Sequence, residues 1–215
     1  MLAALAGDGR LVVSRRVAFA PGRGPVSRWK YRHAAHYIAV SEFVKRTLVE
    51  AGVPSSKIAV VYDGVPMQPE AVGQEILAPE SSDPAKGVAL VRKAARLGGF
   101  EVCFTHDLEA DLRRAKLFLY ITHSEGLGSA ALVAMAAGVP VIASRVGGLP
   151  EIIEHERTGL LTENTAQAIA DAVRRLWNER TLAQELGRRA RAAVAERFTA
   201  GRMVADTVRV YQSLL

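Results

Sequence analysis

A single cysteine, Cys103, stands among 215 residues. No disulfide framework can form within one chain, which fits a reducing cytoplasm. Cys103 lies in an apolar, strand-like run and is expected to be a small buried hydrophobe. The five histidines do not cluster. His33 and His36 are spaced i, i+3 without a carboxylate or thiol companion, so no metal site is expected. His123 precedes Ser124, but no G-x-S-x-G elbow surrounds the pair, which excludes that nucleophile arrangement. Met1 to Ala6 is a short apolar patch without a basic stretch before it, unlike a signal peptide. Aromatics are few, 6%, and no basic motif interleaved with aromatics for single-stranded nucleic acid is present. The longest uncharged run, Gly126 to Ser144, has the length of a membrane span. Its glycines and Pro140 instead divide it into loop, helix, turn and strand.

What is present is ordinary globular material, 49% hydrophobic and 23% charged, enough for one full domain and part of another. The net charge is +6. Arginine is spread along the chain, which suits solvated helix faces with a bias toward anionic ligands rather than a nucleic-acid partner. Arg28, Trp29, Lys30, Tyr31 and Arg32 mix cations with interfacial aromatics, a pattern compatible with peripheral membrane contact. The expected location is the cytoplasm, with peripheral contact at the inner face of the membrane.

The most informative stretch is residues 117 to 151. Leu117 to Ile121 reads as a buried strand. The glycine loop Gly126-Leu127-Gly128 follows, then a helix from about Ser129 to Ala137 that stops at Gly138 before Pro140. Val139 to Ala143 reads as the next strand. This is a βαβ unit with short connections, so the two strands are expected to be parallel neighbours. Two glycines allow close approach of backbone to a ligand. The helix start beside them offers free N–H groups and partial positive charge, an anion site suited to phosphate. Glu125 sits at the carboxyl end of the strand, where open α/β sheets bind ligands. A carboxylate repels phosphate, so Glu125 is better placed to bond sugar hydroxyls.

Around this unit, strands are expected at 11–14, 37–40, 58–61, 76–78 and 101–105. Helices are expected at 26–35, from Ser41 to near Gly52, after Gly87, and over 108–116. After Leu161 the chain reads as helical, with stripes Ile169, Val173, Leu176 and Trp177, then Leu182, Leu186, Ala190 and Val194, then Val204, Val208, Tyr211 and Leu215.

The segments S-E-G-L-G-S from Ser124, A-M-A-A-G-V-P-V-I-A-S from Ala134, V-G-G-L-P-E-I-I from Val146 and T-G-L-L from Thr158 carry a resemblance. They resemble the donor-binding domain of retaining group 1 (family 4-type) nucleotide-sugar glycosyltransferases. The resemblance implies an α/β, GT-B-like fold: one complete Rossmann-like donor domain plus the C-terminal part of a second Rossmann-like domain, truncated at its N-terminus. The implied divisions are 1–62 for the partial acceptor-side domain, 63–75 for a linker and 76–200 for the donor domain. A C-terminal helix over 201–215 would cross back to the N-terminal part.

The same resemblance makes Glu125 the catalytic residue that contacts the donor sugar. It makes Lys86, of a K-G motif, the partner of the donor diphosphate. Ser124, Gly126, Leu127, Gly128, Ser129, Gly147 and Gly148 complete the donor-binding set. The family's second glutamate would fall eight positions after Glu125, where this chain has Val133. The arginine usual before the lysine is missing from Ala78 to Ala85. Glu151 is either part of the site or a favourable acid in the first turn of its own helix. Arg15 and Arg16 either reach the cleft or are solvated. No metal and no cofactor are implied beyond the nucleotide-sugar donor, and the acceptor would be a sugar, lipid or glycan. Two other readings stay open: a non-catalytic nucleotide-binding remnant or subunit, and an NADP-binding protein. The latter would use Gly126, Gly128 and Ala131 as G-x-G-x-x-A with Arg145 on the 2′-phosphate.

Overall fold

The computed structural model describes residues 11–19, 22, 24, 31 and 34–215. Met1 to Ala6, most of the helix expected over 26–35, His33, and Arg28, Trp29, Lys30 and Arg32 lie outside the described residues.

Two parallel sheets organise the chain. The first has the order β1 (Val12–Arg15), β2 (His36–Ala39), β3 (Ile58–Val60). Helix α1 (Glu42–Glu50) joins β2 to β3, and the Ser41 hydroxyl caps it by accepting from the Val44 amide at 3.1 Å. That is the expected work of a serine at this position. Val44 and Leu48 form the buried face of α1.

The second sheet comprises β4 (Glu75–Pro79), β5 (Cys103–Thr105), β6 (Ala115–Tyr120), β7 (Val141–Ser144) and β8 (Leu160–Thr162). Its spatial order is β5-β4-β6-β7-β8, all parallel. Leu117, Phe118, Leu119, Val141, Ile142 and Ala143 are all fully buried. A strand covered on both faces reads as a continuous apolar run, which is why β6 and β7 were legible without alternation. Helices α2 (Val88–Gly98), α4 (Ser129–Ala136), α6 (Ala166–Asn178) and α7 (Arg180–Arg197) supply that cover, with two short helices, α3 (Leu108–Asp111) and α5 (Leu149–Ile152). The direction of chain travel across this sheet reverses between β4 and β6. That reversal opens a crevice at the carboxyl ends of those two strands.

Four expectations are corrected. The helix expected over 108–116 is shorter: α3 gives way to a 3-10 turn at Leu112–Arg114, and Ala115 and Lys116 open β6. The chain is not wholly helical after Leu161, because Leu160–Thr162 forms the edge strand β8 through pairing with β7. Three residues carry too little pattern to show this. Cys103 is exposed, not buried, since it begins β5 at the other sheet edge. Finally, helix α8 (Ala200–Gln212) presents Val204, Val208 and Tyr211 to solvent, and Leu215 beyond its end is exposed too. Its buried side carries Val210, which clusters with Ile38 and Val61, alongside Met203 and Leu214. Both stripes have helical spacing, and periodicity alone does not choose between them. α8 thereby packs on the first sheet, and the Gly64 amide donates to Met203 Sδ at 3.3 Å.

The two sheets share one core. Tyr37, Val44 and Leu48 belong to the same buried cluster as Phe118, Leu132 and Met135. Where α4 ends, Gly138 adopts φ +72°, and its carbonyl oxygen occupies the space a Cβ on Gly187 of α7 would need. Arg191 of the same helix donates to the Gln68 carbonyl at 2.6 Å and to the Ala136 carbonyl. Helix propensity alone would favour Gly187→Ala by ~1 kcal/mol. The backbone clash is expected to reverse that sign and cost ~1–3 kcal/mol, read as a lower urea midpoint. A midpoint equal to or above that of the parent chain would contradict this packing.

Candidate functional site

Two loops meet at the crevice between β4 and β6. After β4, Asp83 caps a 3-10 turn at Pro84–Lys86 by accepting from the Ala85 amide at 2.9 Å. Gly87 ends that turn with φ +66°, and a Cβ there would stand 2.6 Å from the Ile121 carbonyl oxygen. Only glycine allows both the left-handed backbone and this approach, and the approach sets Lys86 beside the end of β6. After β6, the His123 amide donates to the Ala85 carbonyl at 2.8 Å. The Thr122 amide donates to Ser144 Oγ at 2.9 Å, Ser144 Oγ donates to Asn164 Oδ1 at 2.6 Å, and Asn164 Nδ2 donates to the Thr122 carbonyl at 2.9 Å. This closed ring ties the ends of β6, β7 and β8 together. None of its three members was a candidate from sequence, because their only signal is position at strand ends.

Lys86 and Glu125 come together. Lys86 Nζ lies 3.0 Å from Glu125 Oε2, with side chains 39% and 14% exposed. The same oxygen accepts from the Tyr120 hydroxyl at 2.6 Å, and Oε1 accepts from the Gly126 amide at 3.0 Å. Burial first, then the Glu125 charge, raises the Tyr120 pKa, so the phenol remains a neutral donor. Tyr120 read from sequence only as a strand residue. Glu125 is therefore held by three donors of different kinds, of which the ammonium is the mobile one. The arrangement offers a carboxylate for hydroxyl groups and a cation free to swing toward an anion.

The glycines let the chain approach itself closely. A Cβ on Gly126 would fall on the Arg16 carbonyl oxygen, and one on Gly128 would stand 2.6 Å from Leu149 Cδ2. A Cβ on Gly147 would fall on the Glu125 carbonyl oxygen, and one on Gly148 on that of Gly126. On its Cβ side each of these glycines is met by the protein's own atoms, so the close approach there is loop against loop. The Gly148 amide donates to the Glu125 carbonyl at 3.2 Å. Leu127 is 2% exposed and belongs to the core, so its side chain faces no ligand. Ser124 is exposed and its amide reaches Thr122 Oγ1 at 3.4 Å. Gly128, at φ +109°, precedes α4, and the first residue of that helix, Ser129, is half-buried. Val133 lies one turn further along α4 and packs against the core.

The glycine loop is also a seam between the two sheets. Ser41 Oγ donates to the Gly126 carbonyl at 2.6 Å. Ser129 Oγ donates to Asp63 Oδ2 at 2.6 Å, and Arg16 Nη2 donates to the same oxygen at 2.6 Å. Glu151 answers the start of α1: its two oxygens accept from the amides of Glu42, 2.8 Å, and Phe43, 2.7 Å, and from the Tyr62 hydroxyl, 3.0 Å. Neither earlier reading of Glu151 anticipated this, since the partner helix lies more than a hundred residues away in sequence. Burial, followed by the Glu151 charge, pushes the Tyr62 pKa up to about 12. Arg145 is engaged with the Leu161 carbonyl at 3.3 Å and Glu163 at 3.8 Å. Among the described residues, no group of three His, Cys, Asp or Glu side chains is arranged to hold a metal, and no helix is long and apolar enough to cross a membrane.

The chain is similar in sequence and in fold to known proteins. Residues 100–193 match the family model described as Glycosyl transferases group 1, and residues 6–68 match Glycosyltransferase Family 4. N-acetyl-alpha-D-glucosaminyl L-malate synthase of Bacillus anthracis is 37% identical over 105 residues, 48% of this chain and 28% of the relative. D-inositol 3-phosphate glycosyltransferase of Streptomyces avermitilis is 32% identical over 166 residues, 74% of this chain and 36% of the relative. The chain thus spans about a third of the length of these curated relatives. Anabaena HepE, solved in complex with UDP and glucose, superposes with a TM-score of 0.83 at 18% identity, covering 99% of this chain and 73% of HepE. Sucrose-phosphate synthase from Thermosynechococcus elongatus superposes at 0.81 and 18% identity, covering 99% and 70%. The fold is of the GT-B type, built from Rossmann-like sheets, and the sequence matches lie among group 1 glycosyltransferases.

Glu151→Gln leaves one acceptor oxygen where there were two and removes the charge facing the start of α1. The expected cost is ~1–2 kcal/mol in urea unfolding near neutral pH. Because the folded-state Tyr62 pKa is raised, its contribution is complete below the unfolded value and is lost as pH rises toward about 12. Glu151 helps to raise it, so the parent chain should lose more stability over that window, and the gap between parent and variant should narrow. A gap that widens with alkalinity would contradict the Glu151–Tyr62 contact.

Proposed function

We propose that this chain, whose matches lie among group 1 glycosyltransferases, is the donor-binding portion of an enzyme that moves a sugar from a nucleoside diphosphate to an acceptor hydroxyl with retention of anomeric configuration. The observation that carries the reading is the Lys86–Glu125 pair, held at the strand-order reversal beside the start of α4. Negative charge grows on the diphosphate as the sugar departs. The amides of the first turn of α4, set in place before the reaction, stabilise that charge together with Lys86, which swings to it from Glu125. Glu125, steadied by Tyr120 and the Gly126 amide, orients the sugar through its hydroxyls. Ser124 and the backbone of 126–129 border the same space. Gly147 and Gly148 act one layer behind, by holding the loop.

The acceptor is a sugar, lipid or glycan hydroxyl, and the work is cytoplasmic, at or near the inner face of a membrane. No metal or cofactor takes part. HepE binds UDP and glucose, which makes UDP the natural first nucleotide to try. A second reading, a nucleotide-binding subunit without transfer, is favoured by Val133, which offers no oxygen or nitrogen for ribose hydroxyls. Calorimetric binding of UDP together with absence of transfer would select it. The NADP reading loses support because the glycine loop follows β6, the third strand of its sheet in chain order, whereas the dinucleotide fingerprint follows the first.

Lys86→Ala is expected to weaken UDP binding by about tenfold to a hundredfold, the worth of a hydrogen bond to a charged group. Glu125→Gln is expected to spare UDP and weaken UDP-glucose, and to abolish transfer in an active assembly. Equal UDP affinity with and without the lysine, or equal loss of UDP and UDP-glucose in Glu125→Gln, would contradict these assignments.

A further inference from the structure

We propose that Arg16 is a second cation for the donor diphosphate, stored on Asp63 until an anion arrives; this rests on the glycosyltransferase reading given above. Arg16 follows β1, and its backbone lies directly on the glycine loop, since its carbonyl oxygen fills the place of a Cβ on Gly126. Its guanidinium reaches the start of α4. There it meets Asp63 Oδ2, and the same oxygen accepts the hydroxyl of Ser129, the first residue of α4. Two donors thus converge on one anionic oxygen at the start of a helix.

The two partners differ sharply in exposure. The Arg16 side chain is 59% exposed and the Asp63 side chain 7%. The carboxylate is buried within the protein, while more than half of the arginine side chain is exposed, and among the described residues Arg16 bonds only Asp63 through its side chain. A planar fork with unused donors can grip phosphate oxygens in a bidentate manner. Asp63 meanwhile supplies the negative charge that the start of α4 favours. Lys86 and Glu125 repeat the pattern, so each of these cations is matched by a resident carboxylate. An incoming diphosphate carries more charge than one carboxylate, and it can draw both cations at once.

The pairing also makes Asp63 a competitor of the ligand, and this gives the two residues opposite signs. In titration calorimetry on the chain as it stands, Arg16→Gln is expected to weaken UDP binding about tenfold and to leave the much weaker binding of uridine unchanged. Asp63→Asn keeps an acceptor for Ser129 and Arg16 but loses the charge. It is expected to strengthen UDP binding severalfold. A purely structural tie would instead lower thermal stability in both variants and shift UDP affinity in the same direction, or not at all. Should Arg16→Gln fail to fold, Arg16→Lys keeps the charge without the fork and is expected to weaken UDP binding by a smaller factor. Parent-like affinity in a folded Arg16 variant, or weakened binding in Asp63→Asn, overturns the assignment. Absence of UDP binding by the parent chain would instead overturn the donor-site reading itself.

Discussion

Backbone packed against backbone around residues 125–128 is the constraint from which the rest of this structure follows. The carbonyl oxygens of Arg16, Glu125 and Gly126 occupy the positions that Cβ atoms would need on Gly126, Gly147 and Gly148. No side chain fits between these segments, and their direct packing holds the loop in place. With it, the start of α4 and the Glu125 carboxylate take fixed places at the end of β6. Preorganisation of this kind lets donors act on developing charge without rearrangement during reaction.

The charges around the loop are arranged in matched pairs. Lys86 pairs with Glu125, and Arg16 pairs with Asp63. An unpaired charge half-buried here would be costly, and each pair relieves that cost while leaving its cation the more exposed member. Glu151 solves the equivalent problem for α1 by satisfying amides at the helix start from across the seam. The junction between the two sheets is thus polar at its rim and apolar beneath, where residues of both sheets join one core.

Much of this was legible in sequence, for identifiable reasons. Continuous apolar runs such as Leu117 to Ile121 mark strands covered on both faces, and Ser41, Gly138 and Pro140 mark helix ends by their local chemistry. Motif resemblance and the rule for carboxyl ends of parallel strands singled out Lys86 and Glu125, but not the ion pair between them. Local pattern failed where tertiary contact decided. β8 exists because β7 pairs with it, Cys103 is exposed because β5 is an edge, and α8 turns Val210 inward although Val208 was as apolar a choice. Glu151, Asp63 and Tyr120 could not be assigned partners, since the groups they meet are set by how the sheets dock. The glycines were recognised as sites of close approach, but sequence does not say whether a ligand or the chain itself comes near.

The most direct test of the central claim is amide hydrogen exchange with and without saturating UDP. The account predicts that added protection concentrates in the Pro84–Lys86 turn, the 124–128 loop and the first turn of α4. The amino ends of β4 and β5, on the far side of the sheet, should stay unchanged. Protection confined to that far side, or none in the loop and first turn under conditions where UDP is bound, would contradict the placement of the donor site.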